Sequence, residues 1–357
     1  MRPASLPEVT VVEITDPTIA NDGSGALTRD LLQLEPKALR AKQVTVRLED
    51  SMVLFTATNR RVRARTVLHS GLLAYVVFGP QAKGTINGLL VKPDLMLAAE
   101  SGTQIEVVAE AGYESVTVLF SSDLLASHLN GRQRKDTLRA PQGVEVLQTK
   151  KIHARELFDW GKRLATTAAR HPELFNDRKE TLAAAKNELL EMLLAAFDAT
   201  KAAQRTRSDH TRQAYSRIVK LAEDYALACT GDRLYMMDLC VATGVRERTL
   251  EYAFKKVMCM SPVAYLTRLR LHRVRQALQM ATHGSTTVSA QALNWGFWHL
   301  GDFSRAYKDC FGELPSETLQ RRPAETGSNP KAFFHFGNRN VAAKRNTPSR
   351  PPSGLSS

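Results

Sequence analysis

The pattern of apolar and polar positions divides the chain into a β-rich first part and a helical second part. Between Gln43 and Phe120, short apolar stretches alternate with polar residues, and glycines separate them at short intervals. This texture is typical of short strands in a sandwich or a small barrel. The predicted strands are residues 44–48, 52–56, 62–68, 72–78, 84–90, 95–99, 104–109 and 115–120.

Helical periodicity follows the strands. Residues 121–129 look helical and precede a polar loop at 130–143, and apolar residues then recur every three or four positions at 149–170 and 178–201. The last of these segments carries an apolar stripe, which needs a partner surface. That partner is either the β domain of the same chain or the stripe of a second copy in a homodimer, and the sequence leaves both open. The stripe consists of Leu182, Leu189, Leu190, Leu193, Leu194 and Phe197.

One short pattern occurs twice in the C-terminal part, at residues 236–256 and 287–308. Each copy predicts a short helix with a small residue, a glycine four positions later, and a second helix. The small residue lets two helices cross closely, and the glycine permits positive φ at the turn. This is the pattern of a helix-turn-helix, whose second helix can lie in a DNA major groove. One copy alone would fit an ordinary helical hairpin as well, but two copies in one basic segment favour DNA binding. The structural positions are Cys240, Gly244 and Leu250 in the first copy and Ala292, Gly296 and Phe303 in the second.

A third predicted helix connects the two copies. Ser261 and Pro262 start it, as a favoured N-cap and a favoured first helical residue, and it runs to about Met280. A rigid connector of this kind would hold both second helices on one side of a duplex, in successive major grooves about 34 Å apart.

These residues resemble the AraC/XylS family of transcription regulators, over about the last third of the ordered chain, and the run at 295–301 is most similar to the branch that contains the ethanolamine-operon regulator. The resemblance is carried by Gly244, Leu250, Phe254, Ser261, Pro262, Tyr265, Leu266, Arg270, Leu271, Ala292, Gly296, Phe297, Phe303, Phe311, Gly312 and Pro315.

The resemblance implies an α+β protein, with an N-terminal cupin-like β-barrel or sandwich and linker helices before an all-α domain with two helix-turn-helix units. Composition and periodicity place a β-rich domain at 1–145 and a helical region at 146–205, for which the resemblance implies a sensing role and a linker or dimerisation role. The DNA-binding domain then covers 206–322, and a disordered basic tail covers 323–357.

Three positions depart from the family pattern. Arg246 stands where a Ser or Thr usually caps the first recognition helix, so this helix should be less firmly started. Cys240 replaces the usual Ala, which is a tolerable small-for-small change. Cys259 replaces a customary Gly, and if the position needs positive φ the cost is on the order of 1 kcal/mol.

Helical spacing and the resemblance together select the residues that would face DNA. Arg bonds bidentately to guanine and Glu accepts from the cytosine amino group, although Glu251 could equally orient Arg248 through a salt bridge. Gly301 has no side chain to read with, and Asp302 either meets a cytosine or fixes Arg305. The predicted base-reading residues are Arg248, Glu251, Tyr252, His299, Asp302 and Arg305, and the predicted phosphate contacts are Lys255, Lys256, Arg268, Arg273, Ser304 and Lys308.

Composition narrows the class of partner. The formal charge of +13 and pI of about 9.7 suit a polyanion, without separating DNA from RNA or a membrane surface. Four cysteines without CxxC spacing make a zinc site or a disulfide framework unlikely, and reduced thiols fit a cytoplasmic protein. The sequence shows no signal peptide and no apolar run of about eighteen residues, so we expect a protein of the cell interior without a membrane partner.

The β domain gives fewer signals. His69 has no second metal ligand nearby, so neither a metal, a cofactor nor a catalytic residue is predicted. Arg60, Arg61, Arg63 and Arg65 could meet an acidic ligand inside the barrel, but a solvated edge strand is the favoured interpretation.

The sequence therefore predicts a transcription regulator that acts as an activator and is modulated by its N-terminal domain, with RNA polymerase, a small-molecule effector and a second copy as further partners. The alternatives are control by a protein partner without any effector, and a cupin-type enzyme.

Overall fold

The structure, a computed structural model, describes residues 7–19, 25–36, 38–121, 141–175, 178–198, 200–202, 206–229, 234–282 and 284–321. The predicted helix at 121–129 and the loop at 130–143 lie largely outside these ranges, and the tail at 323–357 lies wholly outside them. Within them the first part is β-rich and the second helical, which confirms the predicted α+β class.

Two sheets of antiparallel strand pairs form the β part. The eight-stranded sheet has the order β1-β3-β4-β11-β6-β9-β12-β13, and the five-stranded sheet has the order β2-β5-β10-β7-β8. The strands are β1 Val9–Ile14, β2 Leu27–Gln33, β3 Ala41–Leu48, β4 Ser51–Thr58, β5 Val62–Leu68, β6 Leu72–Phe78, β7 Gly84–Ile86, β8 Leu89–Leu90, β9 Leu95–Glu100, β10 Gln104–Ala109, β11 Tyr113–Ser121, β12 Val144–Gln148 and β13 Lys201–Ala202.

All the predicted strands are present, with 84–90 divided into β7 and β8. Strands β1, β2, β12 and β13 are not among the predicted strands. The middle of β2 reads Thr-Arg-Asp, and Arg29, which shares the core-facing side of the strand with Leu27 and Leu31, interrupts the apolar alternation of a half-buried strand.

Apolar residues fill both faces of the eight-stranded sheet. One face packs against the five-stranded sheet, in a core that includes Leu54, Val76 and Leu119. The other packs against α1 (Lys151–Arg170) and α2 (Lys179–Asp198). The stripe of α2 lies in this second core, with Leu189 and Leu193 almost fully buried. The stripe is therefore covered by the chain's own sheet, and the alternative of a dimer seam along it is wrong.

The helical part continues with α3 Arg207–Ala228, α4 Met236–Thr243, α5 Glu247–Met258, α6 Pro262–Met280, α7 Val288–Asn294, α8 Leu300–Phe311 and α9 Pro315–Gln320. Two separate apolar cores hold these helices together. Tyr265, Leu266 and Leu269 of α6 join the core of α3, α4 and α5. The later α6 residues Leu271, Val274 and Leu278 join the core of α7 and α8.

The arginines of β5 occupy neither of the two predicted environments. Ala64 and Leu68 point into the core between the sheets, so Arg61, Arg63 and Arg65 point out of the opposite face of the five-stranded sheet. There they are buried against the helical domain. Because β5 lies between β2 and β10, it is not an edge strand, and the prediction of a solvated edge is wrong.

Among the described residues, no helix is long and apolar enough to cross a membrane. The same residues contain no group of three or more His, Cys, Asp or Glu that could hold a metal ion.

Candidate nucleic-acid interface

The first helix pair, α4 and α5, turns at Gly244. This residue adopts φ 69°, and the Val245 amide donates to the Cys240 carbonyl at 3.2 Å, which closes the end of α4. A Cβ added at Gly244 would meet no atom within 4 Å, so it is the positive φ, and not lack of space, that favours glycine here. Leu250 is fully buried and fastens α5 onto α3 and α4.

The second helix pair, α7 and α8, repeats this geometry. The Thr287 hydroxyl accepts from the Ala290 amide at 3.1 Å and caps α7. Gly296 has φ 77°, and the Phe297 amide donates to the Ala292 carbonyl at 2.9 Å. Phe303 is buried on α8, with its ring centroid 5.1 Å from that of Phe297. The turn and the plug of both copies are thus formed as the repeated pattern predicts.

The connector α6 begins and ends where the sequence predicts. The Ser261 hydroxyl accepts from the Ala264 amide at 3.2 Å, and Pro262 is the first helical residue. The helix continues without interruption to Met280, and each helix pair packs on its own half of it. One helix therefore carries both pairs.

Two departures from the family pattern have the predicted local effect. Arg246 is the N-cap of α5 and makes no side-chain capping hydrogen bond. Cys259, the C-cap of the same helix, adopts φ 55° in the left-handed region that favours glycine. Helix α5 is thus weakly capped at its start and strained at its end.

Helix α5 presents an exposed polar face. Arg248, Glu251 and Lys255 are exposed, and Tyr252 is 47% exposed. The centroids of the Tyr252 ring and the Tyr215 ring of α3 lie 5.5 Å apart in an edge-to-face arrangement, and the Lys256 Nζ lies 5.2 Å from the centroid of the Tyr252 ring. These two contacts hold Tyr252 in place. No ion pair joins Arg248 and Glu251 within the described part of the chain, which leaves both side chains directed to solvent.

Helix α8 presents a second exposed face of mixed charge. His299, Asp302, Arg305 and Lys308 are exposed there. Asp302 Oδ1 and Arg305 Nη1 lie 3.6 Å apart, which agrees with the alternative in which Asp302 fixes Arg305. Because both side chains are about three-quarters exposed, this pair contributes little to stability and can open to meet another partner. The Ser304 hydroxyl donates to the Leu300 carbonyl at 2.9 Å, so it is engaged within α8.

Two of the predicted phosphate contacts on α6 are not free at the surface. Arg273 donates to both oxygens of Asp30 on β2, at 3.0 and 2.5 Å, and its side chain is only 15% exposed. Its prediction as a phosphate contact is therefore wrong, because a carboxylate of the same chain already occupies the guanidinium. Arg268 is half-buried, and its Nη1 atom is buried without a hydrogen-bond partner.

A buried cluster of charges joins the β and helical parts beside these helix pairs. The Glu223 carboxylate on α3 accepts from Arg63 at 2.5 Å and from Arg65 at 2.8 Å, and Arg65 also donates to Asp224 at 2.8 Å. Burial raises the pKa of Glu223, but the two guanidinium groups outweigh it and lower the pKa to about 2. Sequence reasoning missed Glu223, since an acidic residue on a helix ordinarily faces water.

The second half of α6 is bound by the segment that follows β1. Asp16 accepts from Arg275 Nε at 2.8 Å and from Gln279 Nε2 at 2.7 Å, and the Thr18 hydroxyl donates to Gln279 Oε1 at 2.7 Å. Arg275 Nη1 also donates to Glu313 at 2.7 Å, just before α9. Burial raises the pKa of Asp16, but Arg275 outweighs it and holds that pKa below its ordinary value. No local sequence pattern marks Asp16 for this role.

One family match lies in the helical part. Residues 239–321 match a helix-turn-helix domain family. The chain is 34% identical over 119 residues to the probable thc operon regulatory protein of Rhodococcus erythropolis, covering 33% of this chain and 36% of that protein. It is 31% identical over 132 residues to the XylDLEGF operon transcriptional activator 3 of Pseudomonas putida, covering 35% of this chain and 38% of that protein.

A solved structure is similar over its whole length. It is described as a probable AraC family transcriptional regulator from Rhodopseudomonas palustris and is 42% identical, covering 30% of this chain and 98% of that chain with a TM-score of 0.27. The two curated relatives are spanned over little more than a third of their own length. The family match at 239–321 bears on the helical part, in which both helix pairs lie.

Proposed function

We propose that this chain, which belongs to the AraC/XylS family of transcription regulators through its helical C-terminal part, binds a specific DNA site by inserting α5 and α8 into successive major grooves. One observation carries the proposal: a single helix, α6, supports two glycine-cornered helix pairs, and each second helix exposes a row of polar residues. A recognition helix needs such a row to reach base edges.

On α5, Arg248 and Glu251 are the base-reading residues, and Tyr252 adds an apolar and hydroxyl contact. Arg248 lies in the first turn of the helix, where base edges are normally reached, and its guanidinium fits the two acceptors of guanine. Lys255 and Lys256 lie further along α5 and contact phosphates, which position the protein without specifying sequence.

On α8, Asp302 and Arg305 act as a pair, with His299 at the helix start. The open space at Gly301 lets the backbone approach the duplex without contributing a side chain. Lys308 contacts phosphate, and Ser304 does so through rotation of its hydroxyl away from Leu300. Because Gly301 has no side chain and Asp302 repels phosphate unless it accepts from a cytosine, the first pair dominates the choice of sequence.

The β part, residues 1–145, senses a small molecule or a protein partner, and residues 146–205 link it to the DNA-binding domain. The regulator acts as an activator in contact with RNA polymerase and as a homodimer whose interface is not the stripe of α2. The name of the Pseudomonas putida relative, an operon transcriptional activator, supports the mode. A thermal-shift screen of metabolites against the full chain tests the effector, since a ligand of the folded state raises the melting temperature.

The decisive experiment selects the preferred DNA site from a random duplex library and measures affinity by fluorescence anisotropy at several salt concentrations. Arg248→Ala should cost about 1–3 kcal/mol on that site and relax the preference at one base pair. Arg163→Ala, an exposed substitution on α1, is the matched control. A uniform loss on all sequences would reassign Arg248 to a phosphate role. Wild-type protein without sequence preference at moderate salt would refute the function.

A further inference from the structure

The β part holds the helical part at two separate places. In the first grip, Arg61, Arg63 and Arg65 of the five-stranded sheet bind Glu223, Asp224 and the end of α5. In the second grip, Asp16, Thr18 and Asp30 bind Arg273, Arg275 and Gln279 of α6.

The first grip acts directly on the proposed reading helix α5. Arg61 donates through Nη1 to the Met258 carbonyl at 2.7 Å and through Nη2 to the Val257 carbonyl at 3.1 Å. These carbonyls belong to the last turn of α5, where a cation is favoured by the helix dipole and by the unpaired acceptors. Arg61 thereby fixes the end of the helix whose start carries Arg248.

The second grip acts on the second helix pair through Arg275. This guanidinium binds Asp16 of the β part with Nε and Nη2, and it binds Glu313 of the helical part with Nη1. The Tyr307 hydroxyl of α8 donates to Thr318 at 2.9 Å, and Thr318 in turn donates to Glu313 at 2.7 Å. A continuous chain of polar contacts therefore leads from Asp16 to the proposed reading helix α8.

Both grips include residues of the five-stranded sheet. Asp30 of the second grip and Arg65 of the first are register partners across the β2–β5 pairing, so the sheet sets the distance between the grips. The charge that the β part contributes has opposite sign in the two grips. The β part supplies cations to the first grip and anions to the second, so sliding or exchanging the grips would bring like charges together.

The helical part needs such a frame. The cores of the two helix pairs share no buried residue and meet through α6, which at 19 residues is about 28 Å long. A bend or roll at the middle of α6 would change the distance and angle between α5 and α8. Meanwhile Arg248, Glu251, Asp302 and Arg305 stay exposed, so the grips do not cover the reading residues.

We propose that the β part is a brace that fixes the separation of α5 and α8, and that Asp16, Asp30 and Arg61 are positioning residues that set the spacing of the DNA site. This inference rests on the proposed function. Residues far from DNA would then determine which spacing is bound, because binding to two half-sites gains affinity only when both are engaged at once.

The test uses the full chain and the duplex selected above, with and without one base pair inserted between the segments contacted by α5 and α8. Asp30→Asn weakens the pair with Arg273, and Gln279→Ala removes hydrogen bonds of a neutral side chain, so it perturbs folding less. Asp50→Asn is the matched control, since Asp50 binds Lys186 of α2 and takes part in neither grip. Thermal unfolding checks that each variant is folded.

We expect the inserted base pair to weaken wild-type binding about 30-fold and binding by the two grip variants about 10-fold or less. The affinity of the grip variants for the uninserted site should stay within about three-fold of the wild-type affinity. A merely stabilising role would leave this ratio unchanged. Equal ratios in wild type, control and grip variants would overturn the brace and leave the proposed function standing. Loss of sequence preference in the wild type would instead refute the function, and the brace with it. If Asp30→Asn does not fold, the ratio for Gln279→Ala decides.

Discussion

The Asp30 carboxylate of β2 accepts two hydrogen bonds from the Arg273 guanidinium of α6, across 243 residues of sequence. A bidentate pair of this geometry uses the donors that a DNA phosphate would need. Helix α6, which the sequence predicts to connect the two helix pairs and to contact phosphates, thus uses Arg273 to bind a carboxylate of its own chain.

This relationship predicts how salt affects DNA binding. Arg273→Ala should leave the slope of log K against log salt unchanged, because the side chain releases no counterion from DNA. Lys255→Ala, at an exposed position of α5, should reduce the slope by about 1. Anisotropy titrations at four salt concentrations measure both slopes. A reduction of the same size for Arg273→Ala would show that this residue leaves Asp30 for phosphate.

Glu223 predicts a strong effect on stability. Glu223→Gln removes the anion shared by Arg63 and Arg65 and leaves them Glu106 and Asp224 as acidic partners, so it should cost about 2–3 kcal/mol in the free energy of unfolding at pH 7. Urea denaturation measures this cost, with the exposed Glu188→Gln on α2 as control, expected within about 0.5 kcal/mol of wild type. A loss no larger than that of the control would mean that the cluster does not stabilise the fold.

The same carboxylate predicts a loss of stability in acid. Its pKa is lowered from 4.5 to about 2 on folding, so the unfolded chain binds a proton first as the pH falls. The stabilisation is complete above about pH 4.5 and is lost as the pH falls toward 2. Glu223→Gln should flatten this part of the curve of unfolding free energy against pH. An unchanged slope between pH 4.5 and 2 would contradict it.

We expect a second dependence of stability on pH, caused by His272 and lying in a higher pH range. The ring is buried on α6 with both nitrogens unpaired, and burial lowers its pKa from 6.5 to about 3. Its neighbours Arg268, Arg273 and Arg275 also oppose a second positive charge, while Asp16 favours one. Because the unfolded chain takes up the proton first, stability should fall as the pH drops from about 6.5 toward 3.

His272→Leu should remove this pH-dependent part of the stability, and it also removes the two buried nitrogens that lack hydrogen-bond partners. Unfolding free energies at pH 7, 5.5 and 4.5 measure the slope, and His210→Leu, at an exposed position of α3, is the control. If wild type and His272→Leu lose stability in parallel over this range, the buried imidazole is not the cause.

Cys259 predicts a gain in stability. Its φ of 55° costs a residue with a Cβ about 1–2 kcal/mol, and glycine avoids that cost at some loss of chain entropy. Cys259→Gly should therefore stabilise the helical part by about 0.5–1 kcal/mol. Cys259→Ala is the matched control and should show no such gain, since it keeps the Cβ. Equal stability of the two variants would show that the backbone strain is negligible.

The local features of the two helix pairs can be predicted from short stretches of sequence. The glycine corners at Gly244 and Gly296, the start of α6 at Ser261 and the strained Cys259 all depend on backbone angles and on neighbours within a few residues. Information of that range is fully contained in a short stretch of sequence, so these predictions were confirmed. The same holds for the strands between Ala41 and Ser121, whose apolar alternation is local.

The positions of the buried charged residues depend on long-range packing. Arg63, Arg65 and Arg273 read as solvated or DNA-facing, because an arginine without a visible partner is ordinarily exposed. Their partners lie 43 to 243 residues away, and no local pattern marks those acids. The stripe of α2 is similar: its apolar face requires burial, but only the packing of α2 on the eight-stranded sheet shows that its own chain covers it. The sequence states that a surface must be paired, and the long-range packing chooses the partner.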